Sequence, residues 1–274
     1  MPRLIDTHTH VNFQAFKEDS DEVIQRALSE DIWMINAGTM FETSRKAVEM
    51  AENYSDGVYA AVALHPIHIF DHHVDEEETK INGRGEMFDF QSYKDLAERT
   101  TKVVGIGEFG LDYYRMPKDR DLEEVKKIQE EVLRMHLELA KEVGKPVMIH
   151  CRNAYDELHE ILKNTYGGPG EIHCFTGTWE QAKKFVDIGY YIALNGIVTF
   201  DKTGRSEEVV KNLPLRYTIL ETDAPYLTPE PHRGKRNEPA NVKHVAEKIA
   251  EWKGVEYDEV AEITTRNARN LYSI

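Results

Sequence analysis

"RLIDTHTH", residues 3–10, is a short apolar run that ends in two histidines one residue apart. On a β-strand, side chains alternate between faces, so Asp6, His8 and His10 project to one side. Three polar, metal-capable groups at one strand end are either ligands or the residents of an ordinary turn. His-x-His alone does not separate the two readings. The partners supplied by the rest of the chain decide.

Outward from this stretch the chain alternates. Runs rich in β-branched residues at 3–9, 33–39, 58–65, 102–110, 146–151, 170–175, 190–196 and 217–223 read as strands. Amphipathic stretches at 20–30, 41–54, 89–99, 121–143, 154–164, 178–188, 205–212 and 240–252 read as the intervening helices, and 257–271 as a last one. Eight strand–helix alternations in 274 residues predict an α/β fold, a single (β/α)8 TIM barrel. A doubly wound open sheet would carry a glycine-rich turn after its first strand, and here that turn reads "THTHVNF". With no internal repeat and no linker, one domain is expected over 1–274. One connection is out of proportion: "IHIFDHHVDEEETKINGRGEMFDFQ", about 67–91, far exceeds the roughly two to six residues of a usual βα loop. It is expected to be either a solvated insertion or a lid, since βα loops lie on the catalytic face of such a barrel.

With 41% hydrophobic and 30% charged residues, the composition is that of a globular protein. No apolar run approaches the roughly 18 residues of a membrane helix. The chain passes from Met1-Pro2-Arg3 straight into strand-like sequence, so no signal peptide and a cytoplasmic location are expected. Two cysteines, Cys151 and Cys174, make no disulfide framework and are expected to be reduced. A net charge of −15 argues against a broadly basic nucleic-acid surface. It leaves room for a local cationic pocket, or for a site where bound metals supply the positive charge.

Barrel chemistry sits at the C-terminal ends of strands. The first strand ends in Asp6, His8 and His10, the third in His65, the fourth in Glu108, the fifth in His150, the sixth in His173 and the eighth in Asp223. Any one of these is more economically read as a hydrogen-bonded core residue or a salt-bridge partner. All of them converging on one barrel mouth without a metal would bury unpaired charge at several kcal/mol each. Even four of these histidines and two of the carboxylates exceed what one zinc ion usually takes, and suit two divalent ions. Such a pair polarises a carbonyl or phosphoryl oxygen, generates hydroxide at neutral pH, and clamps attacking and leaving oxygens. Asp6 is expected to support these ligands from behind. Cys151 and Cys174 each follow a proposed ligand, so alternation turns them away from the mouth as packed thiols. His136, His159 and His244 fall within helical stretches and read as structural, and nothing ties His72 or His73 of the insertion to the site.

"DTHTH", "GEFGLDYYR", "HCR", "HCF", "ETDAPYLTP" and "RGKRNEP", spread over residues 6 to 239, resemble in order and spacing the TatD-like metal-dependent hydrolases of the amidohydrolase-like barrels. The resemblance implies a two-metal centre and a deoxyribonuclease-like activity, drawn as 3′–5′ exonuclease action. Carried onto this chain, His8 and His10 bind the first metal, Glu108 bridges both, and His150 and His173 bind the second. Asp223 contacts the first metal and orients or deprotonates the attacking water. Glu221, deeper on the same face as Asp223, is a buried supporting acid and not a ligand. The third strand, "ALHPIHIF", departs from the family pattern and places His68 one residue late.

His65, Arg115, Arg152, Arg233 and Tyr113 are candidate substrate contacts. Arg152 shares a face with His150, and a guanidinium binds phosphate bidentately. Arg115, Arg233, Lys235 and Arg236 add positive charge on catalytic-face loops, and Tyr113 and Tyr114 are candidates for stacking on a base. The expected substrate is a single-stranded DNA end. The alternative is a small ester or amide: an amide, a lactone or an acyl ester, including one on RNA, attacked at the same centre. Mixed imidazole and carboxylate ligands accept Zn²⁺, Mn²⁺ or Mg²⁺. Neither a membrane nor an obligate protein partner is implied.

Overall fold

Each strand is short, rich in β-branched residues and buried on both faces, which an all-parallel sheet covered by helices demands. The structure is a computed structural model that describes residues 2–71, 75–79 and 85–274. The strands are β1 (Leu4–Thr9), β2 (Ile32–Ala37), β3 (Val58–Val62), β4 (Val103–Asp112), β5 (Val147–Arg152), β6 (Gly170–Ile172), β7 (Tyr191–Leu194) and β8 (Thr218–Leu220). They pair in chain order, every pair parallel. The seam between β8 and β1 closes at the mouth. Thr9 bridges Ala224, Asp223 N–H donates to the His8 carbonyl at 2.9 Å, and His10 N–H donates to the Ala224 carbonyl at 2.8 Å. The fold is a (β/α)8 TIM barrel.

The helices are α1 (Ser20–Ser29), α2 (Phe41–Glu52), α3 (Phe90–Glu98), α4 (Leu122–Val143), α5 (Tyr155–Thr165), α6 (Trp179–Asp187), the single turn α7 (Ile197–Phe200), α8 (Arg205–Asn212), α9 (Val242–Lys253) and α10 (Tyr257–Tyr272). Helix α4 shows how locally the ends are specified. Asp121 accepts the N–H groups of Glu123 and Glu124 at its start, and Gly144 ends it in the left-handed region at φ 66°. Between them Val125, Gln129, Leu133, His136, Leu137 and Ala140 recur at helical spacing and are buried. The barrel interior is filled by Ile35, Ala37, Tyr59, Ala61, Val104, Met148, Ala193 and Ile219, with Leu271 and Tyr272 of α10 packed against them. Among the described residues no helix is long and apolar enough to cross a membrane.

Helix boundaries follow the sequence pattern closely, but several strands stop short of it. The runs at 58–65, 170–175, 190–196 and 217–223 end as ladders at Val62, Ile172, Leu194 and Leu220. The backbone leaves the sheet there: Cys174 and Asp223 sit in the left-handed region, at φ 46° and 58°, and Pro66 begins a 3₁₀ turn after His65. Single bonds still tether these ends to the barrel, His173 N–H to the Ile149 carbonyl and Glu221 N–H to the Leu194 carbonyl. Strand-end side chains are thereby aimed across the mouth.

The long connection at 67–91 resolves into parts: the 3₁₀ turn Pro66–Ile69, the segments 75–79 and 85–89, and then α3 from Phe90. His72 and His73 lie outside the described residues. Segment 75–79 forms a strap fastened to the far side of the mouth. Gln14 and Ala15 donate their N–H groups to the carbonyls of Glu78 and Glu77, and Tyr226 donates its hydroxyl to Asp75. The buried Glu78 carboxylate accepts from His68 Nε2 at 2.7 Å and from the Thr39 hydroxyl.

Candidate metal centre

Glu108 of β4 is the pivot. Its two carboxylate oxygens face two groups of donors, and His173 links them, with a donor atom also within 4.8 Å of donor atoms of His8 and Asp223.

Around Oε2, His8 Nε2 lies at 3.3 Å and His10 Nε2 at 3.8 Å. The two imidazole nitrogens are 3.0 Å apart, and Asp223 Oδ1 stands 3.4 Å from His10 Nε2 and 3.8 Å from His8 Nε2. Both rings are held through Nδ1. His10 Nδ1–H donates to the Ala37 carbonyl at 3.0 Å, and His8 Nδ1 faces the Met148 sulfur at 2.9 Å.

Around Oε1, His150 Nδ1 lies at 2.8 Å, His65 Nε2 at 3.3 Å and His173 Nε2 at 3.5 Å. His150 donates from Nε2 to Asp112 Oδ2 at 3.1 Å, and His173 donates from Nδ1 to Glu221 Oε2 at 2.7 Å. Glu221 Oε1 takes the Cys174 N–H and the Asn195 amide, so this buried acid is fully engaged. His65 is oriented the other way. Its Nδ1 accepts the Ile67 N–H, so the neutral ring carries its proton on Nε2, toward Glu108.

The residues fit divalent cations. Four N/O donors at about 2.0–2.2 Å from one ion stand roughly 3.3–3.6 Å apart along tetrahedral edges. The five facing distances among His8, His10, Glu108 and Asp223 run from 3.0 to 3.8 Å. Two carboxylates and facing imidazole nitrogens, buried together with no Lys or Arg among the described residues to neutralise them, make the donor set of a cation site. Glu108, with one oxygen in each group, is placed to bridge.

The charges follow. Burial pushes Glu108 up, but the adjacent His65, His173 and His8 outweigh it and hold it well below the usual carboxylate range. Asp223, opposed by burial in the same way, is lowered by His10 and His173. Burial also opposes protonation of His173, yet Glu221 and Glu108 raise it to about 10, and Asp112 and Glu108 raise His150. Burial lowers His8, and it lowers His65 to about 4 despite Glu108.

Not every residue singled out in the sequence reaches this cleft of 1060 Å³. Arg115 and Arg152 line it, as does Lys118, and among the described residues no carboxylate pairs with any of the three. Arg233 does not reach it: the guanidinium stacks on Phe200 at 3.9 Å and donates to the Thr228 carbonyl. Arg236 is spent on Asp19 and on the Phe16 ring. Tyr113 packs inward with Lys126 over its ring, whereas Tyr114 is exposed with Arg152 over its face. Asp6 binds backbone, not a donor ring: it accepts the N–H groups of His8 and Thr222 and locks β1 to the β8 end. Cys174 corrects the alternation argument. Its left-handed backbone turns the thiol toward the cleft, within 4.8 Å of donor atoms of His173 and Glu221, while burial and two nearby carboxylates keep it protonated. Asp112 and Asn195, absent from the sequence reading, prove to be the orienting partners.

Residues 5–273 match the sequence profile of the family described as TatD related DNase. The chain belongs to the TatD family. It is 41% identical to the metal-dependent hydrolase YabD of Bacillus subtilis, with 99% of each chain aligned. It is 33% identical to the metal-dependent hydrolase YcfH of Escherichia coli, over 99% of this chain and 96% of that one. The crystal structure of the TatD homologue YjjV from Escherichia coli superimposes with a TM-score of 0.84 at 30% identity, covering 99% of this chain and 98% of YjjV. This TatD-family chain is accordingly a metal-dependent hydrolase.

Proposed function

We propose that this protein is a 3′–5′ exonuclease acting on single-stranded DNA ends. The observation that carries the end-acting reading is the division of charge across the cleft. The loop after β4 and the end of β5 present Arg115, Lys118 and Arg152, none of them paired with a carboxylate among the described residues, beside the single acid Asp119. The strap presents Asp75 and Glu77 over the opposite side, fastened to residues that follow β1 and β8. A phosphate backbone is drawn to the first wall and repelled by the second, so a strand enters and stops at the centre. The 3′ polarity rests on the family resemblance.

In this reading His8, His10, Glu108 and Asp223 would hold one divalent ion, and Glu108, His150 and His173 would hold another. When bound, a pair of such ions supplies the positive charge that polarises a phosphoryl oxygen and acidifies a water. Asp223, held ionised at the mouth, orients the attacking water and takes its proton. His65, neutral with its proton on Nε2, donates to a substrate oxygen beside Glu108. Arg152 and Arg115 fix the phosphate.

A time course on 5′-labelled single-stranded DNA with Mg²⁺, Mn²⁺ or Zn²⁺ tests this. The expected result is a ladder shortening one nucleotide at a time, with turnover reduced about 10²–10⁴-fold in Asp223→Asn. Near wild-type turnover in that variant removes Asp223 from its role. Intact DNA with metal-loaded protein favours the second reading, hydrolysis of an amide, lactone or acyl ester. The acidic strap supports that alternative, because it suits a substrate that is anionic at one end only.

A further inference from the structure

Strand β4 carries two carboxylates four residues apart, Glu108 and Asp112, with Gly110 between them. Period-two alternation puts the two carboxylates on one face. A Cβ on Gly110 would lie 1.8 Å from the His150 carbonyl oxygen, so glycine is what lets β5 pack this close. The His150 ring then spans the two acids, Nδ1 to Glu108 Oε1 at 2.8 Å and Nε2 to Asp112 Oδ2 at 3.1 Å. Asp112 is fully buried, and its other oxygen, Oδ1, accepts the backbone N–H groups of Tyr114 at 2.9 Å and Arg115 at 2.7 Å. Gln129 of α4 pins the same residue's backbone from behind, accepting its N–H at 2.8 Å and donating to its carbonyl at 3.1 Å.

We propose that Asp112 is a positioning residue that couples the metal centre to the cationic wall, one oxygen setting the ring and tautomer of His150 and the other folding the turn that carries Arg115. The inference rests on the reading of His150 as a metal donor. An ionised carboxylate only accepts hydrogen bonds, so His150 Nε2 carries a proton and Nδ1 keeps its lone pair for the centre. The bond also fixes the ring plane and strengthens the donor, as carboxylates behind metal-binding histidines do. The Tyr114 and Arg115 N–H groups converge on a carboxylate that cannot move without turning the His150 ring. Displacement at one end is therefore felt at the other.

The test is a Mn²⁺ titration of the metal-free protein, followed by calorimetry and electron paramagnetic resonance, beside KM and kcat on a phosphodiester. D112N keeps an amide oxygen for Tyr114 and Arg115 but offers an N–H to His150 Nε2, which forces the wrong tautomer. It is expected to weaken one of two Mn²⁺ ions by roughly 10–100-fold, to abolish the spin-coupled signal, and to leave KM near wild type. D112S has no group that reaches either partner, so it is expected to lose the same metal and raise KM as well. H150A separates the two claims. If H150A binds Mn²⁺ as wild type does, the reading of His150 as a donor fails. If H150A loses one ion while either folded Asp112 variant binds like wild type, the Asp112 proposal fails alone. Unfolding of both Asp112 variants, with and without Mn²⁺, would assign the residue to the fold and overturn the proposal too.

Discussion

The two donor groups share one carboxylate but are held from behind by different chemistry. The rings around Glu108 Oε2 lean on neutral atoms: a backbone carbonyl behind His10 and a thioether behind His8. Two of the rings around Oε1 lean on buried carboxylates, His150 on Asp112 and His173 on Glu221. Neutral supports orient a ring without changing its affinity for a proton much. Carboxylate supports make the imidazole a stronger base, toward a cation and toward a proton alike. Neighbouring charges cut across this contrast: burial and His173 lower His8, whereas Asp223 and Glu108 raise His10 against burial, and Glu221 and Glu108 raise His173 to about 10. We expect the carboxylate-backed rings to hold a cation the more strongly, and the rings backed by neutral atoms to depend mainly on their geometry.

The largest effect is expected where the halves meet. Glu108→Ala removes one oxygen from each group, so metal content is expected to fall at both sites, as read by elemental analysis. Retention of full stoichiometry would break the shared-pivot description at its root. Next comes Glu221→Gln, which places an amide N–H against His173 Nδ1 and reverses its tautomer. We expect roughly 10–100-fold weaker binding of one ion with the other unaffected. Met148→Leu, behind His8, is expected to change affinity little, because a thioether fixes no tautomer. Equal losses in the two variants would erase the distinction between the supports.

Protons sharpen the comparison further. His173, at about 10 in the metal-free protein against an ordinary 6.5, contributes stability that is fully present below about 6.5 and lost as pH rises toward 10. A cation needs the neutral ring, so affinity must move the opposite way, rising with pH. Loading at pH 7 should release about one proton or more, carried by His173 with the raised His150 and His10, while His65 and His8 release none. Calorimetry in buffers of different ionisation enthalpy measures that release. Zero release would mean that the carboxylate-backed rings are already neutral.

Much of this was legible in the sequence, for a specific reason. His8 lies on β1 and His10 one residue past its end, near enough for alternation to bring both rings to the mouth, and His150, His173 and Asp223 each close an apolar run. The barrel followed from a different alternation, that of strand and helix, counted eight times. Where regular backbone ends, the inference ends with it. Cys174 turns inward because one left-handed residue cancels the alternation that was to hide it. Arg233 lies on a loop, whose sequence carries no periodicity to say that its guanidinium stacks on Phe200. Asp112 closes β4 as one more acid before "YYR", and its tie to His150 depends on the register of β4 against β5, which no single strand encodes. The insertion was legible in its length only. That residues 75–79 cross to the opposite side of the mouth depends on hydrogen bonds to Gln14, Ala15 and Tyr226, all remote in sequence.

The strap yields the smallest expected effect and the most direct probe of the cleft's two walls. Asp75 and Glu77 have no cationic partner among the described residues, and both line the cleft. Asp75→Asn with Glu77→Gln removes two negative charges while leaving the Tyr226 hydroxyl an acceptor. Surface changes of this kind typically shift stability by about 0.5 kcal/mol or less, so the fold should be indifferent. Their field should not be: at low ionic strength the Debye length exceeds about 10 Å and spans the distance to an approaching phosphate, whereas near 1 M it shrinks to about 3 Å. The double variant is therefore expected to raise kcat/KM several-fold on a long single strand at low salt, less on a dinucleotide, and not at all at high salt. An equal gain on both lengths would place the strap's charge against the scissile phosphate itself. No gain at low salt would leave the acidic wall without influence on the substrate, and the end-acting reading would then have to rest on shape.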